Sequence, residues 1–358
     1  MLLTLAPQGL SMSLLTSLIS HQIWLQRTAS GEVKELAPFL QEMRDEIKRQ
    51  VLLFGDDGRS TARLNKLLRD LEEALAGLTD DWQTKLTEDL KELAAYEAEW
   101  NVKTLTANVD AEFVTPTAEQ VWAAAEFQPL SLSDKPVDFT KLMSGWGETE
   151  VARLVTGVKM GFVQGQTTRQ IVKNVVGAGG LADISERNAA TVIRTALSHV
   201  SNEARNETYR QNDDIIEKYE WVSTLDSRTS TICRARDGMT WEIGKGPMPP
   251  AHPNCRSCTA PVISSEFDFL DKGAKRAAKG AEGGTQVSAD TTYYEFLKQQ
   301  PAWFQDEALG PTRGKIFRNS GISPEEFRVI SVDGFGNPLT LKQMAELDKR
   351  VADYLKGE

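Results

Sequence analysis

The residues best suited to chemistry in this 358-residue chain sit in one short window. All three cysteines and one of three histidines fall between Cys233 and Cys258, and the last three of this set share the heptad "HPNCRSC", with His252, Cys255 and Cys258. Thiolates and an imidazole are what Zn²⁺ takes, usually four at a time in a structural site. The pattern is Cys–x18–His–x2–Cys–x2–Cys. Its Cys–x2–Cys half is a common zinc arrangement and its Cys–x18 half is an ordinary interval. A metal held by Cys233, His252, Cys255 and Cys258 would stand in for a core that short strands cannot build. The plainer alternative is three buried free thiols, with His252 bonding the backbone of a tight loop. The spacing leaves both open.

Catalytic uses of the window fit less well. A zinc deaminase needs a His-x-Glu that supplies one ligand and the general acid/base. Here Pro253 and Asn254 follow His252, with no glutamate in place, and four filled positions leave no room for water. A cysteine nucleophile using Cys255 or Cys233 with His252 or His199 would want a pKa-lowering helix start, and Cys255 lies among prolines. Asp226, Ser227 and Arg228 read as a polar turn capped by Asp226.

Short strands carry the window. "KYEWVSTLD", with Tyr219 and Trp221 alternating against polar neighbours, "MTWEI" at 239–243 and "TAPVI" at 259–263 are β-like, with the cysteines in the loops between them. Ahead of them the periodicity is helical. An amphipathic helix is expected from about Ser11 to Arg27. Further stripes run Leu36 to Val51 and Leu64 to Leu75, and another, capped by Thr79, runs Trp82 to Trp100. Residues 114–140, rich in Pro, Ser and Thr, read as a linker around a short helix at Ala118 to Phe127. A helix over Glu148–Val163 follows, then one capped by Thr167 with Gln170 in a capping box, ended by "GAGG" at 177–180. A long helix over about 183–212 opens on Asp183 and Glu186. Ala189, Ile193, Ala196, Leu197, Val200 and Ala204 form its buried face, and Arg194, Asn202 and Arg205 are its notable polar residues.

The expected fold is therefore α+β and mostly α-helical. A helical region at 1–130 precedes a central helical block and small loop-rich β-module at 141–265. A Lys/Gly-rich linker at 266–287 leads to a small helical domain at 288–358, whose helix starts are marked by Ser323-Pro324-Glu325-Glu326 and by Thr340 with Gln343. Lys272, Lys275, Arg276 and Lys279 are candidates for a basic patch, although a solvated linker is the preferred account of them.

Bulk composition narrows the class. The chain has 41 Lys and Arg against 51 Asp and Glu, a net charge of −10, which argues against a surface devoted to gripping nucleic acid. Three cysteines cannot all pair, so a reducing compartment is the simpler setting. The apolar start lacks a preceding positive charge and is broken by Pro7, Gln8 and Gly9, so it does not read as a signal peptide.

Several separated pieces resemble one family. Arg194-Thr195 on a helix, the turn Asp226-Ser227-Arg228-Thr229, the pair Asp237-Gly238 and the segment Pro249 to Arg256 occur in the order seen in the phage Mu F-like head morphogenesis proteins. "GFVQGQTTRQIVKNV" also looks like that family, and the resemblance covers about residues 145–265. It implies a minor head protein without enzymatic activity, acting in capsid assembly with the portal or major capsid protein and carried in the virion, in some members ejected with the DNA. The N-terminal helices and the 183–212 helix would then offer the docking surface, and packaged DNA would be met only locally, with no membrane involved. Zinc is not implied by the resemblance and rests on the four residues above. The alternatives are a phage-delivered effector enzyme, nucleotide-modifying or a cysteine hydrolase, and an assembly factor that leaves before maturation.

Overall fold

The computed structural model describes residues 14–56, 60–132, 135–263 and 274–357. Helices α1 (Leu14–Glu35), α2 (Ala37–Phe54) and α3 (Thr61–Asn108) form the N-terminal bundle. Next come α4 (Ala118–Phe127), the hairpin β1 (Leu130–Leu132) and β2 (Lys135–Val137), then α5 (Phe139–Val163), α6 (Thr168–Val176) and α7 (Leu181–Arg210). The β-module holds β3 (Ile216–Val222), the short helix α8 (Thr231–Arg236), β4 (Thr240–Glu242) and β5 (Cys258–Ile263). A second hairpin, β6 (Lys275–Gly280) and β7 (Gly283–Ser288), leads into α9 (Tyr293–Lys298), α10 (Ala302–Leu309), α11 (Pro311–Asn319), α12 (Pro324–Ser331), α13 (Leu341–Leu347) and α14 (Lys349–Gly357). This is the mostly helical α+β fold expected.

Helix α7 is the spine. Every residue from Thr195 to Asn206 is buried, because α1, α3, α4, α5 and β5 all pack around it. Its Ala and Ser positions let neighbours approach closely, and the aliphatic side chains between them fill the core. Towards its ends the helix is more open, with Glu186, Arg187, Asn188 and Arg210 exposed.

Several local starts follow the sequence. Thr167 with Gln170, Ser323 with Glu326, and Thr340 with Gln343 each form the reciprocal capping box. Two do not. Helix α3 runs unbroken through Thr79, because Leu71, Leu75, Thr79, Trp82 and Leu86 keep one phase. The Thr79 hydroxyl is satisfied by the Ala76 carbonyl at 2.9 Å, and the residue packs where Gly147 of α5 has no Cβ to collide with it. Asp183 and Glu186 form no box either, since α7 is preceded by Gly180. Both carboxylates instead grip Arg44 of α2 at 2.7 Å, and Asp183 also accepts from the Gly179 amide.

The expected linker at 266–287 is corrected over its described part. Residues 275–288 pair as a regular antiparallel hairpin, with Arg276 and Ala278 facing inward and Lys275, Ala277 and Lys279 outward. Arg276 is buried, so it belongs to no basic patch, and Lys272 lies outside the described residues. The hairpin is tied in by the Lys279 amide to the Leu225 carbonyl at 2.8 Å and by the Thr16 hydroxyl to the Lys275 carbonyl at 2.7 Å. Residues 114–140 likewise hold packed structure, since Val121 and Ala125 of α4 are fully buried and β1 pairs with β2. The start expected for the first helix, about Ser11, also lies outside the described residues.

His199 sits in this core with Nε2 bonded to the Ala125 carbonyl at 2.8 Å. Burial drives its pKa down to about 4, against which the bond to Ala125 works only partly. The native imidazole therefore stays neutral while the unfolded one protonates below about 6.5, so His199 contributes full stability above that pH and loses it as pH falls towards 4. The loss across that window should approach about 3 kcal/mol. Urea denaturation of wild type and His199→Gln at pH 7 and pH 5 checks this. The wild type should lose more stability than the variant on acidification, and parallel losses would remove His199 as the cause.

Candidate functional site

The module sheet has the order β4-β3-β5, both neighbours antiparallel to β3. Its two faces serve different cores. Tyr219, Val222, Cys258 and Ala260 join the helical core, while Trp221 joins a small cluster with Cys233, Ala251 and Cys255 beneath α8. Alternation along the strand sets Val222, with its partner Cys258, and Ala260 on the face opposite Trp221, whereas Tyr219 shares the face of Trp221 and reaches the helical core from there.

Three of the four candidate ligands meet. Cys233 Sγ lies 3.3 Å from His252 Nε2 and 3.6 Å from Cys255 Sγ, and the donor atoms of all three fall within 4.8 Å of one another. The fourth, Cys258, does not join them. It pairs in register with Val222 and faces α7, where the polar group beside it is the guanidinium of fully buried Arg205. Cys233 is also corrected from loop to helix: it lies on α8, whose N-terminus is capped by the Ser230 hydroxyl.

The three donors share protons. The Cys255 thiol is held well below its ordinary value, chiefly by the hydrogen bond from Cys233 and also by His252, against a burial effect that pushes it up. Cys233 is pushed well above its ordinary value by that same bond and by burial. Burial alone would lower His252, but the bond and charge of Cys255 outweigh it and raise the imidazole. The bond from Cys233 and the His252 imidazole thus both favour the charged form of Cys255.

The separated motif pieces converge on the same loops. The Asn254 amide donates to the Thr195 hydroxyl at 3.1 Å, and the Asn254 side chain to Thr191 at 3.2 Å, so α7 holds the heptad loop. Asn254 has φ 59°, the left-handed region that asparagine tolerates. Asp226 caps its turn by accepting from the Arg228 amide at 3.0 Å and takes both prongs of Arg256. These bonds to the charged form hold its carboxyl below the ordinary range against the opposing effect of burial. Asp237 accepts from the Ser223 amide at 2.7 Å and from Arg276 at 2.9 and 3.1 Å. Arg276 also donates to the Ser223 and Thr291 carbonyls. Gly238 turns with φ 78° and donates to the Trp221 carbonyl, a conformation that any side chain would strain.

Sequence reasoning missed Arg276, which it had placed in a linker. The signal was there in the alternation of Lys275, Arg276, Ala277, Ala278 and Lys279. Arg194, noted for its polarity, lines a cavity of about 900 Å³ together with Gln22, Asp226, Arg228, His252 and Lys279.

A helix-backed, three-stranded module whose charged residues clasp its own loops defines an α+β class with a recognisable relative. Residues 152–260, less than a third of the chain, match the family described as Phage Mu protein F like protein. No curated protein and no solved structure matches the chain. No helix among the described residues is long and apolar enough to cross a membrane.

The Arg276–Asp237 pair gives a direct test. Arg276→Met leaves Asp237 buried without its cation and should cost about 3–5 kcal/mol in urea denaturation. Adding Asp237→Leu to that variant should recover part of the loss. A single-variant cost below about 1 kcal/mol would mean that the pair does not hold the hairpin to the module.

Proposed function

We propose that this protein is a minor head protein of a tailed phage, acting in capsid assembly at or near the portal vertex and remaining in the virion. The family match over 152–260 carries the reading. Its motif residues support a structural role without catalysis: Asp226, Asp237, Asn254, Arg256 and Thr195 each make bonds that hold loops of the module in place. The partner is the portal protein or the major capsid protein. With the middle of α7 enclosed, docking falls to the outer faces of the N-terminal and C-terminal helices and to the exposed Glu186, Arg187 and Asn188 of α7. Contact with packaged DNA is local, since the chain carries a net −10. Release of the protein with the genome is a further step of the same proposal.

Quantitative mass spectrometry of purified DNA-filled virions, normalised to the portal protein, tests it. A few copies per portal ring are expected. Presence in precursor heads alone would make the chain a departing assembly factor, and absence from both particles would overturn the head-protein reading in favour of an effector enzyme.

A further inference from the structure

We propose that Cys233, His252 and Cys255 bind one zinc ion as a three-residue set, with water in the fourth position and Cys258 not a ligand. The proposal does not depend on the head-assembly reading.

Distances carry it first. A tetrahedral zinc with bonds of about 2.3 Å to sulfur and about 2.0 Å to nitrogen sets its ligand atoms roughly 3.5–3.8 Å apart. The observed separations are 3.6 Å between the two sulfurs and 3.3 Å between Cys233 Sγ and His252 Nε2. These two separations are close to that geometry, and the third, between His252 and Cys255, is within 4.8 Å. The donors are also of the right kind, since paired thiolates with an imidazole favour zinc over magnesium or calcium.

The histidine is oriented for the task. His252 Nδ1 lies 2.9 Å from the Pro253 carbonyl, which accepts only if Nδ1 carries the proton. Nε2 then presents its lone pair towards the sulfurs. A ligating histidine is commonly held this way, with its other ring nitrogen donating to a carbonyl.

The backbone under each donor is fixed independently. Ser230 caps the helix that bears Cys233. The Cys255 amide bonds to the His252 carbonyl at 3.1 Å, closing the tight loop between those two ligands. Asn254, within that loop, is anchored to Thr195 and Thr191 of α7. These restraints hold the three donors together, so a metal would lose less chain entropy on binding.

The local core is also small. Beneath α8 the buried apolar cluster comprises Trp221, Cys233, Ala251 and Cys255. A zinc ion would fasten this helix to the heptad loop where apolar burial is scant. Cys258 cannot serve without leaving β5, because its side chain belongs to the opposite face of the sheet and the helical core.

The test uses the full chain, purified under reducing conditions from zinc-supplemented cells, with metal measured by plasma mass spectrometry after dialysis. Wild type should carry one zinc per chain. Cys258→Ser should keep it, whereas Cys233→Ser, Cys255→Ser and His252→Ala should each fall to background. In case the ligand variants unfold, wild type is also loaded with cobalt(II). Its thiolate-to-cobalt charge-transfer intensity should correspond to two thiolates, unchanged in Cys258→Ser. Wild type without metal would overturn the proposal, as would a Cys233–Cys255 disulfide in freshly reduced protein. Zinc lost from a folded Cys258→Ser protein, or a three-thiolate cobalt spectrum, would overturn the three-residue set.

Discussion

Arg276 enters the module from a separate hairpin and ends between Asp237 and the carbonyls of Ser223 and Thr291. Both charged groups are almost wholly removed from water. Desolvating an isolated ion costs several kcal/mol, so neither residue could occupy this place alone. Four segments are fixed by the one guanidinium: the end of β3, the turn after α8, strand β6 and the approach to α9. The loop between β3 and α8 is set by what this clasp allows. That loop carries Asp226, which takes Arg256 from the heptad loop, and Tyr293 closes the circuit by donating to the Asp226 carbonyl at 2.7 Å. The loop that carries His252 and Cys255 is therefore held electrostatically, through Arg256 and Asp226, from outside the sheet.

What could be read in the sequence follows from which forces are local. Helices with a sustained apolar stripe and a capping pair were legible, because both signals lie within one turn of the residues they affect. Thr79 misled for the same reason: followed by Asp80 and Asp81 it has the local form of a helix start, but the stripe running past it decides the matter. Asp183 and Glu186 misled because their partner, Arg44, is far away in sequence. The β6–β7 hairpin was hidden by composition. Lys and Gly suggest solvent, whereas the alternation that buries Arg276 and Ala278 suggests a strand, and here the period carried the better information.

The candidate site shows the same limit at finer scale. Clustering of the cysteines drew attention to the right loops, and Cys233, His252 and Cys255 do meet. Spacing could not show that Cys258 begins a strand. Once it does, its register opposite Val222 fixes the face on which its thiol lies, and that face belongs to α7. A Cys–x2–Cys pair on one loop can converge on a metal; the same pair with its second member in a sheet is divided by the strand's alternation.

The family match ends at residue 260, but the electrostatic closure of the matched region does not. Asp237 is neutralised by Arg276, Asp226 is bonded through its carbonyl by Tyr293, and Arg328 of α12 donates to the Ala235 carbonyl of α8 at 3.1 Å. Leu225 and Ala278 belong to the core of the C-terminal helices, not to that of the bundle. The region that resembles its relatives is thus a unit of ancestry without being a unit of folding in this chain. The buried carboxylate of Asp237 needs the hairpin, and the Asp226 carbonyl takes its bond from the C-terminal helices, both outside the matched residues. The flanking helices of such a chain can change only while an inward-facing cation is kept at the place of Arg276, because that requirement comes from the buried carboxylate of Asp237.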